Sequence, residues 1–239
     1  MSIWVASNNR ENAFQFFLLL KLVFKHGKMK LNKHEVLALK QMLGFKSKTP
    51  VMNLVTELKE LDWIRLNERT GFYIIRSFDK LRDEYGWDSR VSTLMSLSNI
   101  NNLNAYIGAS LYTYLHKVFW RKVKREKSVR IKGCTYHFLS PTFNYKKQAA
   151  PIATTGVEAL YEISKSKASR LKIAAFKSKL IMLKKVYQKQ NHTSHEIKLM
   201  IKYDLIPRHV SKFKGSFYLQ SIDLITPRID LVKRRSLGI

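Results

Sequence analysis

Arg170 is the residue whose chemistry is most specific. A guanidinium fork can donate two parallel hydrogen bonds to the O6 and N7 acceptors of a guanine. It sits in the run Ser164-Lys165-Ser166-Lys167-Ala168-Ser169-Arg170-Leu171-Lys172, which mixes cations with small hydroxyls. Lys165, Lys167 and Lys172 suit phosphates, and Ser166 and Ser169 suit phosphate oxygens or nearby base edges. An earlier set has the same character: Lys46, Ser47, Lys48 and Thr49, then Asn53 and Thr56, with Asn53 of the type that pairs with adenine. Arg69 stands apart in Glu68-Arg69-Thr70-Gly71. A third set runs from Lys117 to Lys132, where Arg121, Lys122, Lys124 and Arg125 belong to a group of eight cations opposed only by Glu126. That density exceeds what a helix C-terminus needs and suits tracking a phosphate backbone. Tyr136, Phe138, Phe143 and Tyr145 lie close to Lys146 and Lys147, a mixture that stacks on unpaired bases or serves as ordinary core and rim.

Catalytic patterns are missing. The chain has no Gly-rich phosphate loop and no Cys/His cluster. His192 and His195 are two ligands without a third, and His34-Glu35 lacks the second histidine of a zinc protease. Phosphodiester chemistry normally needs acidic metal ligands, and residues 89–239 hold only seven Asp+Glu. The expectation is a protein without enzymatic activity, cofactor or metal.

Charge dominates the composition. The 239 residues carry 44 Lys+Arg against 17 Asp+Glu, a net charge of +27. A folded chain this basic usually meets a polyanion. The balance is uneven: residues 1–88 hold 15 Lys+Arg and 10 Asp+Glu, and residues 89–239 hold 29 and 7. This step suggests a boundary in the Asp79–Arg90 stretch. Hydrophobic residues make up 45% of the chain, enough for a packed core. The single cysteine, Cys134, excludes a disulfide framework and fits a cytoplasmic protein, or a host cytoplasm or virion if phage-encoded. The apolar stretch Phe14–Phe24 is interrupted by Gln15 and Lys21 and is too short to span a bilayer, so no membrane partner is expected.

The elements that must hold these residues follow from periodicity and caps. A first, largely apolar helix runs from a cap at Asn9 or Asn12 to His26, and Gly27 ends it. Lys28–Leu31 suits a short strand. Asn32 with Glu35 caps a second helix that Gly44 stops. Thr49 caps a third, with Pro50 in its first turn and Val51, Leu54, Val55, Leu58 and Leu61 facing the core. Trp63–Asn67 and Phe72–Ser77 form a hairpin. This order is that of a winged helix, whose third helix leads into a DNA major groove with Arg69 at the wing tip. The alternative is a solvated face on a protein-interaction module, which Glu57, Glu60 and Glu68 favour. Residues from Asn102 to Lys127 read as a helix with a seam of Leu103, Ile107, Leu111, Tyr114 and Val118, and Ser128–Ser140 as a strand. Thr155 with Glu158 opens a short helix, and Ser166 caps the next, with Ala168, Leu171 and Ala175 inward and Lys165, Lys167, Ser169, Arg170 and Lys172 outward or at its N-terminal end. After Ser178 a further basic helical stretch through Leu180, Lys184, Lys185 and Lys189 is expected. A helix near His195–Tyr203 and a hairpin at Val210–Lys214 and Ser216–Ile222 follow.

The segment Thr155–Lys172 resembles a helix-turn-helix core, with the second helix of the form Ser-x-Ala-Ser-Arg-Leu-Lys. Together with the first segment, the chain resembles the helix-turn-helix and winged-helix superfamily of phage and plasmid regulators and replication proteins. It is similar in architecture alone to plasmid replication initiators. The resemblance implies a mainly α chain with small β-hairpins (α+β): a winged-helix domain at 1–88, a basic helix and strand connector at 89–150, and a helix-turn-helix domain at 151–239. It implies duplex DNA as partner, bound by a monomer or a homodimer, in transcription regulation or replication initiation. The alternatives are a sequence-independent packaging or virion-associated protein, motivated by charge, and an RNA-binding protein, motivated by the aromatic and lysine mixture.

Overall fold

The computed structural model describes all residues except 88–90, 93, 94, 96, 133, 138–143, 191, 204, 206–209, 214, 215 and 234–239. The chain is mixed α and β and packs as two units, one of residues 1–107 with the strand at Val232–Lys233, the other Gly108–Leu231. The packing divides inside a long helix, rather than in the acidic 79–90 stretch where the charge balance steps.

In the first unit, α2 (Glu11–Val23) is the helix expected from Asn9 or Asn12 to His26, but with Arg10 rather than either asparagine at its N-cap and no side-chain cap bond, and it is preceded by an unexpected short helix, α1 (Ser2–Ser7). Asn9 takes a left-handed φ of 55°, which breaks the helical path. α2 buries Ala13, Phe14, Phe16, Phe17, Leu19 and Leu20. Gly27, at φ +68°, then turns the chain into β1 (Lys28–Met29). The Asn32 side chain accepts from the amides of His34 and Glu35, and the Glu35 carboxylate accepts from the Asn32 amide, so α3 (Lys33–Met42) starts on a complete capping box. In α4 (Thr49–Glu60) the expected cap Thr49 is already helical; Lys48 takes the cap position without a side-chain bond, and Pro50 lies in the first turn. Val51, Leu54, Val55 and Leu58 are buried as expected, opposite the exposed Asn53 and Thr56. β2 (Ile64–Asn67) and β3 (Phe72–Ile75) form the hairpin, and β3 also pairs with β1, giving the order β1-β3-β2. Trp63 is fully buried, its ring 6.2 Å from Phe14 and 5.2 Å from Phe17, which ties the hairpin to α2. α5 (Phe78–Glu84), β4 (Val91–Ser92) and a 3₁₀ turn at Leu97–Asn102 follow.

α6 (Leu103–Glu126) is one 24-residue helix whose C-terminal part belongs to the second unit. Leu103, Ile107 and Leu111 are buried as expected, but beyond them the buried side chains are Tyr112, Thr113, Leu115 and His116, and Val118 is exposed. β5 (Ser128–Ile131) and β6 (Cys134–His137) make a small hairpin where one strand is expected. Phe138, Ser140 and Phe143 lie outside the described residues. β7 (Ala150–Pro151) leads to α7 (Thr154–Tyr161), which has no side-chain cap, so the Thr155–Glu158 box does not form. Glu162, at φ 55°, ends α7. Ser164, two residues before the expected Ser166, caps α8 (Lys165–Lys177) by accepting from the Lys167 amide.

The expected basic helix after Ser178 is instead a strand, β8 (Ile181–Gln190). After α9 (Ser194–Lys202) and β9 (Val210–Phe213), β10 (Ser216–Pro227) runs back antiparallel along β8, pairing it from Gln190 to Ile181. Ile181 and Ile225 are buried at the inner end, while Lys184, Lys185, Tyr187 and Lys189 are exposed. Long-range pairing therefore overrides the local helical pattern. β9 also pairs with β10, so the expected late hairpin is present, although Lys214 and Gly215 lie outside the described residues. β11 (Val232–Lys233) pairs with β4. The main sheet of this unit has the order β7-β10-β8.

The two units thus repeat one order. Each runs helix, strand, helix, helix, strand, strand, with the last strand central: α2-β1-α3-α4-β2-β3 in the first, α6-β7-α7-α8-β8-β10 in the second. The second copy is stretched twice: by β5, β6 and a 3₁₀ turn at Tyr145–Lys147 between its first helix and first strand, and by α9 and β9 between the two strands of its hairpin.

Candidate nucleic-acid interface

Three contacts fix α8 within its unit. A Cβ on Gly108 would lie 2.2 Å from the carbonyl oxygen of Leu171, so the backbones of α6 and α8 touch there and only glycine fits. The Tyr112 hydroxyl donates to the Ala168 carbonyl at 3.0 Å. Burial, reinforced by the negative charge of Asp223, raises the pKa of this phenol. The Lys172 ammonium donates to the Asp223 carboxylate on β10, with both side chains buried. Lys172 is therefore not on the outer face, as expected from its place in the motif; its partner lies far along the chain and turns it inward.

The opposite face of α8 is open. Lys165, Ser166, Arg170, Ile173, Phe176 and Lys177 are exposed, and Lys167 and Ser169 are half-buried. The α8 sequence contains no acid, and the Glu158 carboxylate of α7 lies 3.5 Å from Lys165 at its start. Ala168, Leu171 and Ala175 are buried, as expected. Ser166, displaced from the cap, is an exposed hydroxyl in the first turn.

The α4 set is also exposed: Lys46, Ser47, Lys48, Thr49, Asn53 and Thr56, with Arg69 in the β2–β3 turn. Of the nearby acids, Glu57 is bound to Arg10 at 2.8 Å, which offsets its charge, while Glu60 and Glu68 remain exposed. This face is less uniformly positive than that of α8. At the end of α6, Arg121, Lys122, Lys124 and Arg125 are all exposed. Lys184, Lys185 and Lys189 on β8 belong to the same unit, with Lys185 and Lys189 on one face of the sheet and Lys184 on the other, a placement that the helical pattern of the sequence hides. Gly108, Tyr112 and Asp223, which hold α8, carry no local sequence signal.

Among the described residues no group of three or more His, Cys, Asp or Glu is placed to hold a metal, and His192 lies 3.9 Å from the Glu196 carboxylate. No described helix is long and apolar enough to cross a membrane. Compared with known proteins, the chain matches no family model, no curated protein and no solved structure.

Proposed function

We propose that both units are winged helices and that the chain is a non-enzymatic duplex-DNA-binding protein, of the transcription-regulator or replication-initiator kind found in phages and plasmids. In this reading α8 enters the major groove. Arg170 takes a guanine, Ser166 and Ser169 contact phosphates or base edges, and Lys165 and Lys167 hold the backbone. α4 with Arg69 makes a second, weaker contact, and the basic end of α6 follows phosphates. The observation that carries the reading is the outer face of α8: exposed Lys165, Ser166, Arg170 and Lys177 on a helix that itself contains no acid and whose inner face is fixed by Gly108, Tyr112 and Asp223. Rigid placement is what base readout needs, whereas binding by charge alone needs none.

The test is selection of bound sequences from a random duplex library at about physiological salt, where nonspecific phosphate binding is weak. A sharp motif containing guanine is the expected result. Binding without a motif, vanishing as salt rises, would instead support the sequence-independent packaging reading, which the 25 Lys+Arg against seven Asp+Glu in residues 108–231 favours.

A further inference from the structure

The second unit contains a cleft of about 230 Å³ that the DNA reading does not use. Thr113, His116 and Lys117 line it from one face of α6, Tyr145 and Lys146 from the 3₁₀ turn at Tyr145–Lys147, and Arg228 and Asp230 from the bend after β10. Several of these groups are positioned by bonds to neighbouring chain. His116 Nε2 donates to the Gln148 carbonyl at 2.7 Å, and burial lowers the histidine pKa, so the ring is neutral. The Arg228 amide donates to the Leu180 carbonyl at 3.0 Å. Lys146 is paired with Asp230 at 2.7 Å. That leaves Lys117 and Arg228 without an ion-pair partner among the described residues, and the buried Thr113 hydroxyl without a hydrogen-bond partner. The ring of Tyr145 is exposed at the rim.

We propose that this cleft binds a mononucleotide, its phosphate held by Lys117 and Arg228 and its base stacked on Tyr145. The charge supports a phosphate, since two unpaired cations face a single carboxylate that is already engaged. The volume of about 230 Å³, below the 300 Å³ at which drug-sized pockets begin, holds part of a nucleotide rather than the whole. A phosphate and sugar fill it, and the base rests on the exposed ring. Two sources share this chemistry: a free nucleotide and the terminal nucleotide of a nucleic-acid strand.

The test titrates the full chain with ADP, inorganic phosphate and a 5′-phosphorylated single-stranded trinucleotide at about physiological salt. ADP binding should be saturable. Lys117→Gln with Arg228→Gln should weaken it at least tenfold, and Tyr145→Ala should weaken ADP but not inorganic phosphate. Lys177→Gln, which changes an exposed cation on α8, should leave it unchanged. Displacement of ADP by the trinucleotide at lower concentration would assign the site to strand ends; the reverse order would assign it to free nucleotides. Non-saturable ADP binding would overturn the proposal, as would equal weakening by Lys177→Gln. The outcome is independent of whether α8 reads duplex DNA.

Discussion

Lys172→Met separates a residue that positions α8 from one that touches DNA. The Lys172 and Asp223 side chains are 8% and 9% exposed, so the pair is shielded from water. Removing the ammonium leaves a buried carboxylate without its counter-charge, which costs about 3–5 kcal/mol. For a unit of this size that corresponds to a fall in Tm of roughly 10–20 °C. The double variant Lys172→Met/Asp223→Leu removes both charges and should regain most of the loss, since an apolar replacement of a buried pair is often neutral or better. Circular dichroism melts of the three proteins measure this. Duplex binding of the folded double variant as a function of salt supplies the second readout. Removing a cation that neutralises a phosphate reduces the logarithmic salt slope by about one, and a lysine buried against Asp223 predicts no change. A single variant with an unchanged melt and a slope reduced by about one would refute the placement of Lys172.

Gly108→Ala should lower Tm strongly, because its Cβ would meet the Leu171 carbonyl at 2.2 Å, at a cost at or above the usual overpacking range of about 1–3 kcal/mol. Gly156→Ala in α7, where a Cβ meets nothing within 4 Å, should instead stabilise by about 0.5–1 kcal/mol, so paired melts isolate the close approach from helix propensity. Asp62, at the α4–β2 corner, has its carboxyl pKa lowered by the Arg65 hydrogen bond and by the charges of Arg76 and Arg65. A folded-state pKa below the unfolded one gives stability that is present above about pH 4 and lost as pH falls through the folded value. Asp62→Asn, which tolerates the left-handed φ of 50° at this position, should lower Tm at pH 7 with the difference closing toward pH 2; a gap that persists there would contradict the charge origin. Ile173 is exposed one turn after Arg170, an apolar group suited to a thymine methyl. Replacing thymine by uracil in a selected site should weaken the wild type and leave Ile173→Ala unaffected.

The first unit is largely legible in the sequence because its boundaries are local. The Asn32–Glu35 box, Pro50 and the four-residue turn at 68–71 each act over a few residues, and α3, α4 and the hairpin form where these signals place them. The start of α2 is the exception: of the two asparagines able to cap it, Asn9 takes a left-handed turn before it and Asn12 lies inside it, leaving Arg10 at the cap position. In the second unit the decisive interactions are distant. Ile181–Gln190 has the look of a basic helix, and its strand state comes from pairing with β10 beyond α9 and β9. The same insertion hides the repeated order of the two units from any periodicity search. Spacing alone identifies Arg170 on the outer face of α8, whereas Ser166, expected as the cap, is an exposed first-turn hydroxyl and the fate of Lys172 depends on Asp223, fifty-one residues away.

Base readout by α8 is tested most directly by measuring wild-type and Arg170→Ala affinities on a selected guanine-containing duplex, on the same duplex with 7-deazaguanine at that guanine, and on a scrambled duplex. The proposed readout predicts that Arg170→Ala loses about 1–3 kcal/mol on the selected site, clearly less on the 7-deazaguanine site, where only the O6 acceptor remains, and only a small electrostatic share on the scrambled one. An equal loss on all three would mean that Arg170 holds a phosphate and that α8 reads no base.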